Sequence, residues 1–316
     1  MKRLLVIRFS SLGDVVLVTG VIRLFKKFHS DIVIDMLTYE EYKDIFTNNP
    51  YIDKLLLIER NLSYVAFLKK LKEATEAYNY IVDLQKNVKT IMLRLLRFNR
   101  YYTFKKLSVR RRAFVYFKRA RKHLNTHIAE RYLQAFNKIS PVHYNNVEEL
   151  RPKVFAEQQS CPEKRILVHP FASKKTKEWP YVNELIGQLK RIGYNIVIVG
   201  KGDANILEGV ENFVNKTDLR GLIEEINKAN VVISTDSGPM HLAIALNKKV
   251  LALFGSTTKE LGFYPNFMNC YVLENNKLNC RPCHVHGRKK CPLNHFKCMQ
   301  DITVDMVINV LSTITH

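Results

Sequence analysis

Residues 231–254 read VVISTDSGPMHLAIALNKKVLALF. Val231–Ser234 and Val250–Phe254 are apolar runs of strand length, and 238–246 between them suits a helix. Gly238-Pro239 opens that helix, since proline is tolerated in a first turn, where its missing N–H leaves no bond unmade. A strand, a crossover helix and a second strand imply parallel pairing. Runs that are continuously apolar, rather than alternating, imply a sheet covered on both faces.

The same alternation continues outward. Arg165–His169 and Asn195–Val199 read as strands, and 180–191 and 218–228 as helices. At 151–164 the pattern breaks into Pro152, a polar Glu157-Gln158-Gln159-Ser160 run and Pro162, which reads as a linker. Before it come strands at Leu4–Phe9, Ile32–Leu37, Leu55–Ile58 and Tyr80–Leu84, with helices at Val15–Phe28, 62–77 and 88–97. The expected architecture is two doubly wound α/β domains, 1–155 and 156–316, with ligands in a cleft between them at the carboxyl ends of the strands. A length of 316 residues suits two domains, and 47% hydrophobic with 25% charged residues is globular composition. No apolar run approaches the ~18 residues of a membrane span. Met1-Lys2-Arg3 before LLVI imitates the start of a signal peptide, but Arg8 interrupts the apolar region. A soluble cytoplasmic protein is expected, with its six cysteines as thiols or metal ligands rather than disulfides.

The chain carries 50 Lys and Arg against 29 Asp and Glu, a net charge of +21. Residues 1–152 hold 29 basic and 14 acidic residues, so an anionic partner is expected mainly on the N-terminal half. No acid occurs from Leu84 to Ala129, while Arg94–Lys122 alone holds twelve Lys and Arg with Tyr and Phe interleaved. That pattern suits an anionic membrane surface. It also suits a nucleic-acid-binding protein, the alternative from a different class.

Five motifs stand at strand ends or beyond. Ser10-Ser11-Leu12-Gly13-Asp14 follows the first strand and offers hydroxyls, a tight turn and a carboxylate at a helix start. Asp14 there is either an N-terminal cap or a reacting group. Thr235-Asp236-Ser237-Gly238-Pro239-Met240-His241 opens a helix whose exposed N–H groups suit a diphosphate, with His241 as a further donor. His169-Pro170-Phe171-Ala172-Ser173 leads to Lys174, Lys175 and Lys177, beside the only Trp. A lysine there can neutralise a phosphate. Gly200-Lys201-Gly202-Asp203 reads as a turn. Cys280, Cys283, Cys291 and Cys298 read as a small structural zinc site or as a thiol-rich loop, with His284, His286 and His295 as further ligands. There is no Asp-x-Asp and no G-x-x-x-x-G-K-[ST], which excludes one metal–diphosphate clamp and the P-loop NTPases.

Together SSLGD, KEWP and TDSGPMHLAIALNKKVLALFG, in this order along most of the chain, resemble glycosyltransferase family 9, the ADP-heptose:lipopolysaccharide heptosyltransferases. The resemblance implies a GT-B fold: two Rossmann-like doubly wound domains facing a central cleft, the N-terminal one for acceptor and the C-terminal one for nucleotide sugar. It implies an inverting, metal-independent transferase that needs no cofactor. Its acceptor would be the inner core and lipid A of lipopolysaccharide, met by peripheral contact with the anionic inner face of the inner membrane, and no nucleic acid is expected. Asp14 matches the general base, and Ser10, Ser11 and Gly13 the acceptor-side loop. Ser173 and Lys177 match donor-phosphate contacts, with Lys177 also steadying the leaving group. Asp236, Ser237, Gly238 and His241 match the donor-binding loop, and Leu219–Ile226 lies where some members bind the nucleoside. A GT-B transferase using another sugar nucleotide is the nearest alternative.

Overall fold

The computed structural model of the chain describes residues 2–91, 100–122, 124–157, 159–203 and 205–315. It divides into two units: Met1–Lys106 with His127–Phe155, and Leu107–Thr126 with Ala156–His316.

In the first unit, β1 (Arg3–Ile7), β2 (Val33–Tyr39), β3 (Lys54–Ile58), β4 (Tyr80–Asp83) and β5 (Tyr101–Thr103) form a parallel sheet ordered β3-β2-β1-β4-β5. Leu4, Leu5, Val6 and Ile7 are completely buried, as a central strand covered on both faces requires. Helix α1 (Leu12–Phe28) follows β1, and α2 (Tyr64–Thr75) precedes β4. In the returning stretch His127–Phe155, α4 (Ile128–Phe136) packs back on this unit: the Phe136 ring lies tilted against Phe25 of α1, with ring centroids 5.1 Å apart. Gly20 lets the chain cross α1 closely, because a Cβ there would meet the Leu150 carbonyl oxygen at 2.1 Å. Arg23 donates to the Glu149 and Arg151 carbonyls and holds that crossing.

The second unit has six parallel strands: β6 (Arg165–His169), β7 (Asn195–Gly200), β8 (Glu211–Val214), β9 (Val231–Thr235), β10 (Lys249–Phe254) and β11 (Cys270–Glu274), ordered β11-β10-β9-β6-β7-β8. Read from the other edge, this is the doubly wound order in which the chain reverses direction between β6 and β9. Helices α5 (Val182–Ile192), α6 (Leu219–Asn227), α7 (Gly238–Ala245) and α8 (Val304–Thr315) complete it. The single tryptophan, Trp179, is buried and donates to the Ile302 carbonyl at 2.8 Å.

Most strands and helices match the expected ranges within a few residues. β5, β8, β11, α4, α8 and the helix Ser108–Tyr116 were not expected; β5 and β8 are too short to stand out from sequence alone. The expected helix at 88–97 lies outside the described residues from 92 on, as do Arg94 and Arg97. Residues 107–126, including α3 (Ser108–Tyr116), pack on the second unit, so much of the basic segment leaves the N-terminal half. The first unit then holds 23 basic and 14 acidic residues, and the second 27 and 15. The charge excess is shared between the units rather than concentrated in the N-terminal one.

Candidate active site

Each sheet has a switch point where neighbouring strands send their connections to opposite sides, and ligands of open α/β sheets bind there. In the first unit it falls between β1 and β4. The main-chain N–H groups of Phe9 and Ser10 both donate to Gln85 Oε1, at 3.0 and 3.1 Å, joining the two strand ends. Asp14 follows in the first turn of α1. Its Oδ1 accepts from the Tyr132 hydroxyl at 2.6 Å, and Oδ2 accepts from Ser11 Oγ at 2.9 Å and pairs with Arg8 at 2.8 Å. Burial pushes this carboxyl up, but the Arg8 charge and the Tyr132 and Ser11 hydrogen bonds outweigh it, so its pKa is lowered and it is ionised near neutrality. Asp14 is also the acidic member of a capping box with Ser11. The cap and the reacting-group readings therefore describe the same side chain. Arg8 is itself held by the Leu84 carbonyl at the end of β4 and lies against the Tyr132 ring. Tyr132 is buried and keeps its proton, its pKa pushed far up by burial.

In the second unit the switch point lies between β6 and β9. Asp236 follows β9, and its Oδ2 is 2.9 Å from Lys177 Nζ and accepts from Thr257 Oγ1 at 2.6 Å. Burial raises this carboxyl, but Lys177 and Thr257 hold it below the usual range. Ser237 caps α7, with Pro239 in the first turn. The Ser237 hydroxyl lies 3.2 Å from His169 Nδ1 at the end of β6. Burial lowers His169 to about 4, so the ring is neutral. His241 is buried one turn into α7, edge-on to Phe263. Thr176, beside Lys177, bonds Ser256 Oγ at 3.0 Å and accepts from Arg288 N at 2.7 Å. Gly287 carries a positive φ of 80°, and a Cβ there would touch the Lys177 stem at 3.0 Å. Arg281 is buried and donates to the Phe254, Gly255 and Thr257 carbonyls, fixing the loop that presents Thr257.

Of the expected residues, Ser11 and Asp14 are in direct contact, with Ser10 and Gly13 on the same loop, and Lys177 and Asp236 are in contact. Ser237, Gly238 and His241 share the start of α7, and Ser173 is exposed on the loop after β6. Leu219–Ile226 lies in α6, whose cap Asp218 accepts from Gly221 N at 2.8 Å. Sequence reasoning gave no role to Arg8, Gln85, Tyr132, His169, Thr257 or Arg281. An arginine inside an otherwise apolar strand is a signal for Arg8; Tyr132 stands 118 residues from Asp14 and left none. Cys280, Cys283, Cys291 and Cys298 line one small cavity with His295, and all are free thiols. Among the described residues no group of three or more His, Cys, Asp or Glu is arranged to hold a metal ion.

Two Rossmann-like units in tandem, each with polar side chains gathered at its switch point, are the components of the GT-B fold. The chain belongs to glycosyltransferase family 9 (heptosyltransferase), whose model matches residues 64–294. It is 25% identical over 309 residues to lipopolysaccharide heptosyltransferase 1 of Campylobacter coli, covering 87% of this chain and 88% of that protein. The fold is shared with a family 9 glycosyl transferase of Veillonella parvula, at a TM-score of 0.76 and 18% identity over 99% of this chain and 97% of the other. It is also shared with the E. coli ADP-heptose lipopolysaccharide heptosyltransferase II, at 0.71 and 18% over 99% and 98%.

Proposed function

We propose that this glycosyltransferase moves a heptose from ADP-heptose to the inner core of lipopolysaccharide, with inversion and without a metal ion in the chemistry. Asp14 carries the reading: a partly buried, ionised carboxylate at a switch point, held on three sides by Arg8, Tyr132 and Ser11. The acceptor hydroxyl must lose a proton as it attacks the anomeric carbon, and Asp14 takes it. A single in-line displacement inverts that carbon. The departing ADP gains charge on its β-phosphate, which Lys177 and the N–H groups opening α7 at Ser237 and Gly238 receive. Ser173 and His241 add contacts to the donor, and Ser10, Ser11 and Gly13 shape the acceptor side. The enzyme works in the cytoplasm at the membrane that carries its glycolipid acceptor. No helix among the described residues is long and apolar enough to cross a membrane.

The test is incubation with ADP-heptose and a panel of core-truncated lipopolysaccharides, read by mass spectrometry. The expected product is one heptose heavier, in chelator as well as without it. Transfer only from a different sugar nucleotide overturns the donor assignment, and transfer abolished by chelator overturns metal independence.

A structural zinc is assigned to the thiol-lined cavity. Four thiols and the His295 ring supply suitable donors, although they must turn toward a common point to hold an ion. Metal analysis of the purified protein is expected to find stoichiometric zinc, and a metal-free protein of unchanged melting temperature removes the assignment.

A further inference from the structure

The segment Leu107–Thr126 docks on the second unit by its inner face. Phe114 is buried with Leu124 and Leu261, and Leu107, Ala120 and Val285 pack around them. Arg111 is buried in the same place, Lys118 donates to the Pro282 carbonyl at 2.9 Å, and Arg121 pairs with Glu260 at 2.9 Å. These contacts settle which way α3 faces. Its outer face carries exposed apolar side chains among its arginines. Val109, Ala113 and Tyr116 stand at i, i+4 and i+7 on one stripe, with Arg112 among them. Val109 is 80% exposed, and Tyr116 and the following Phe117 are each 71% exposed. Single exposed apolar residues are ordinary, but three within nine residues on one side of one short segment are not.

The charge of the segment itself is of one sign. Arg110, Arg112, Lys118, Arg119, Arg121 and Lys122 are exposed around this stripe, and the segment itself contains no acid. Basic side chains reach up to lipid phosphates while aromatic rings and an aliphatic chain enter the boundary beneath the headgroups. A nucleic acid would engage the arginines and the rings, but it buries an aliphatic side chain such as Val109 less fully than an acyl boundary does.

We propose that α3 and residues 117–122 form an interfacial anchor for an anionic bilayer, with Val109, Tyr116 and Phe117 inserted and Arg110, Arg112 and Arg119 on the headgroups. This names the surface by which the enzyme reaches its acceptor, and it rests on the lipopolysaccharide reading only for the identity of the membrane. Arg111 is excluded from the anchor because it is buried against Leu261.

The full-length chain is tested by co-sedimentation with phosphatidylcholine vesicles and with vesicles also containing phosphatidylglycerol. Wild type is expected to bind only the anionic vesicles, and less at high salt. At ~1 kcal/mol per basic residue near such a surface, Arg110→Glu, Arg112→Glu and Arg119→Glu together should weaken binding at least ~100-fold at low salt. Val109→Ser, Tyr116→Ser and Phe117→Ser together should also lower it, with melting temperature unchanged because all three side chains are exposed. Trp179 is buried, so Phe117→Trp adds a reporter whose emission should shift to the blue on anionic vesicles alone. An unshifted reporter, or either triple variant sedimenting like wild type, overturns the anchor. So does RNA binding that both triple variants lose while vesicle binding is absent. Transfer to a soluble, deacylated acceptor keeps the two proposals apart. The apolar triple variant should retain it at the wild-type rate. A wild type that binds vesicles but transfers no heptose sinks the functional reading and leaves the anchor standing.

Discussion

Asp14 is a carboxylate with most of its lone pairs already engaged, and this sets what its neighbours must do. Asp14→Asn keeps the size and part of the capping of α1 but cannot accept a proton. Turnover should fall by about 10²–10⁴, while ADP binding measured by calorimetry holds, because the residues proposed for the donor belong to the other unit. Near wild-type turnover would reduce Asp14 to a cap. Tyr132→Phe removes one hydrogen bond that favours the ionised form. The Asp14 pKa should rise, and the acid limb of kcat/KM should move to higher pH. A profile that keeps its acid limb while losing amplitude would mean that Tyr132 acts only through packing.

At the scale of elements, the start of α7 is built by two distant loops. Lys177 comes from the turn after β6, and its place depends on Asp236, on Thr257 and on the bare backbone of Gly287. Lys177→Ala should raise the donor KM or lower turnover about 10–100-fold, the scale of a lost charge-assisted contact, with acceptor binding little changed. His241→Ala should act in the same direction. Gly287→Ala places a methyl against the lysine stem and asks alanine to hold a positive φ, which costs roughly 1–2 kcal/mol. It should reproduce part of the Lys177→Ala kinetic defect together with a lower melting temperature. Unaltered donor kinetics in all three would remove this loop from the donor site.

For the whole molecule, the two units should answer acid differently. His169 is neutral in the fold with a pKa of about 4, whereas an unfolded histidine titrates near ~6.5. Between those values the unfolded chain binds the extra proton, so stability falls as pH drops from ~6.5 to about 4, by on the order of 3 kcal/mol in all. Asp14 and Asp236 are held below the ordinary value, so their contribution is present above ~3.9 and is lost only as pH falls through their lower native values. The second unit, which holds His169, should therefore loosen first. Hydrogen exchange at descending pH would show it, and His169→Gln should flatten the upper part of the melting-temperature profile. Equal loosening of both units above pH ~4 would contradict the assignment to His169.

The sequence alone determined the two parallel sheets and the strand-end position of both candidate sites. Apolar strands such as Arg165–His169 and Val231–Thr235 fold as their local composition dictates, and the loops that leave them must emerge at a sheet end. It also placed Asp14, Lys177 and Asp236, because each sits beside a glycine- or proline-marked turn. Tertiary structure alone decided who touches them. Tyr132 reaches Asp14 by a helix returned from beyond residue 126, and Arg281 reaches the Thr257 loop from the cysteine-rich segment. Such contacts join residues far apart in the chain, and no local period or turn signal encodes them. The same holds for residues 107–126. Their charge was plain in the sequence, but the unit they join and the side they expose depend on the burial of Phe114 and Arg111 against Leu261, a fit that exists only once both surfaces have folded.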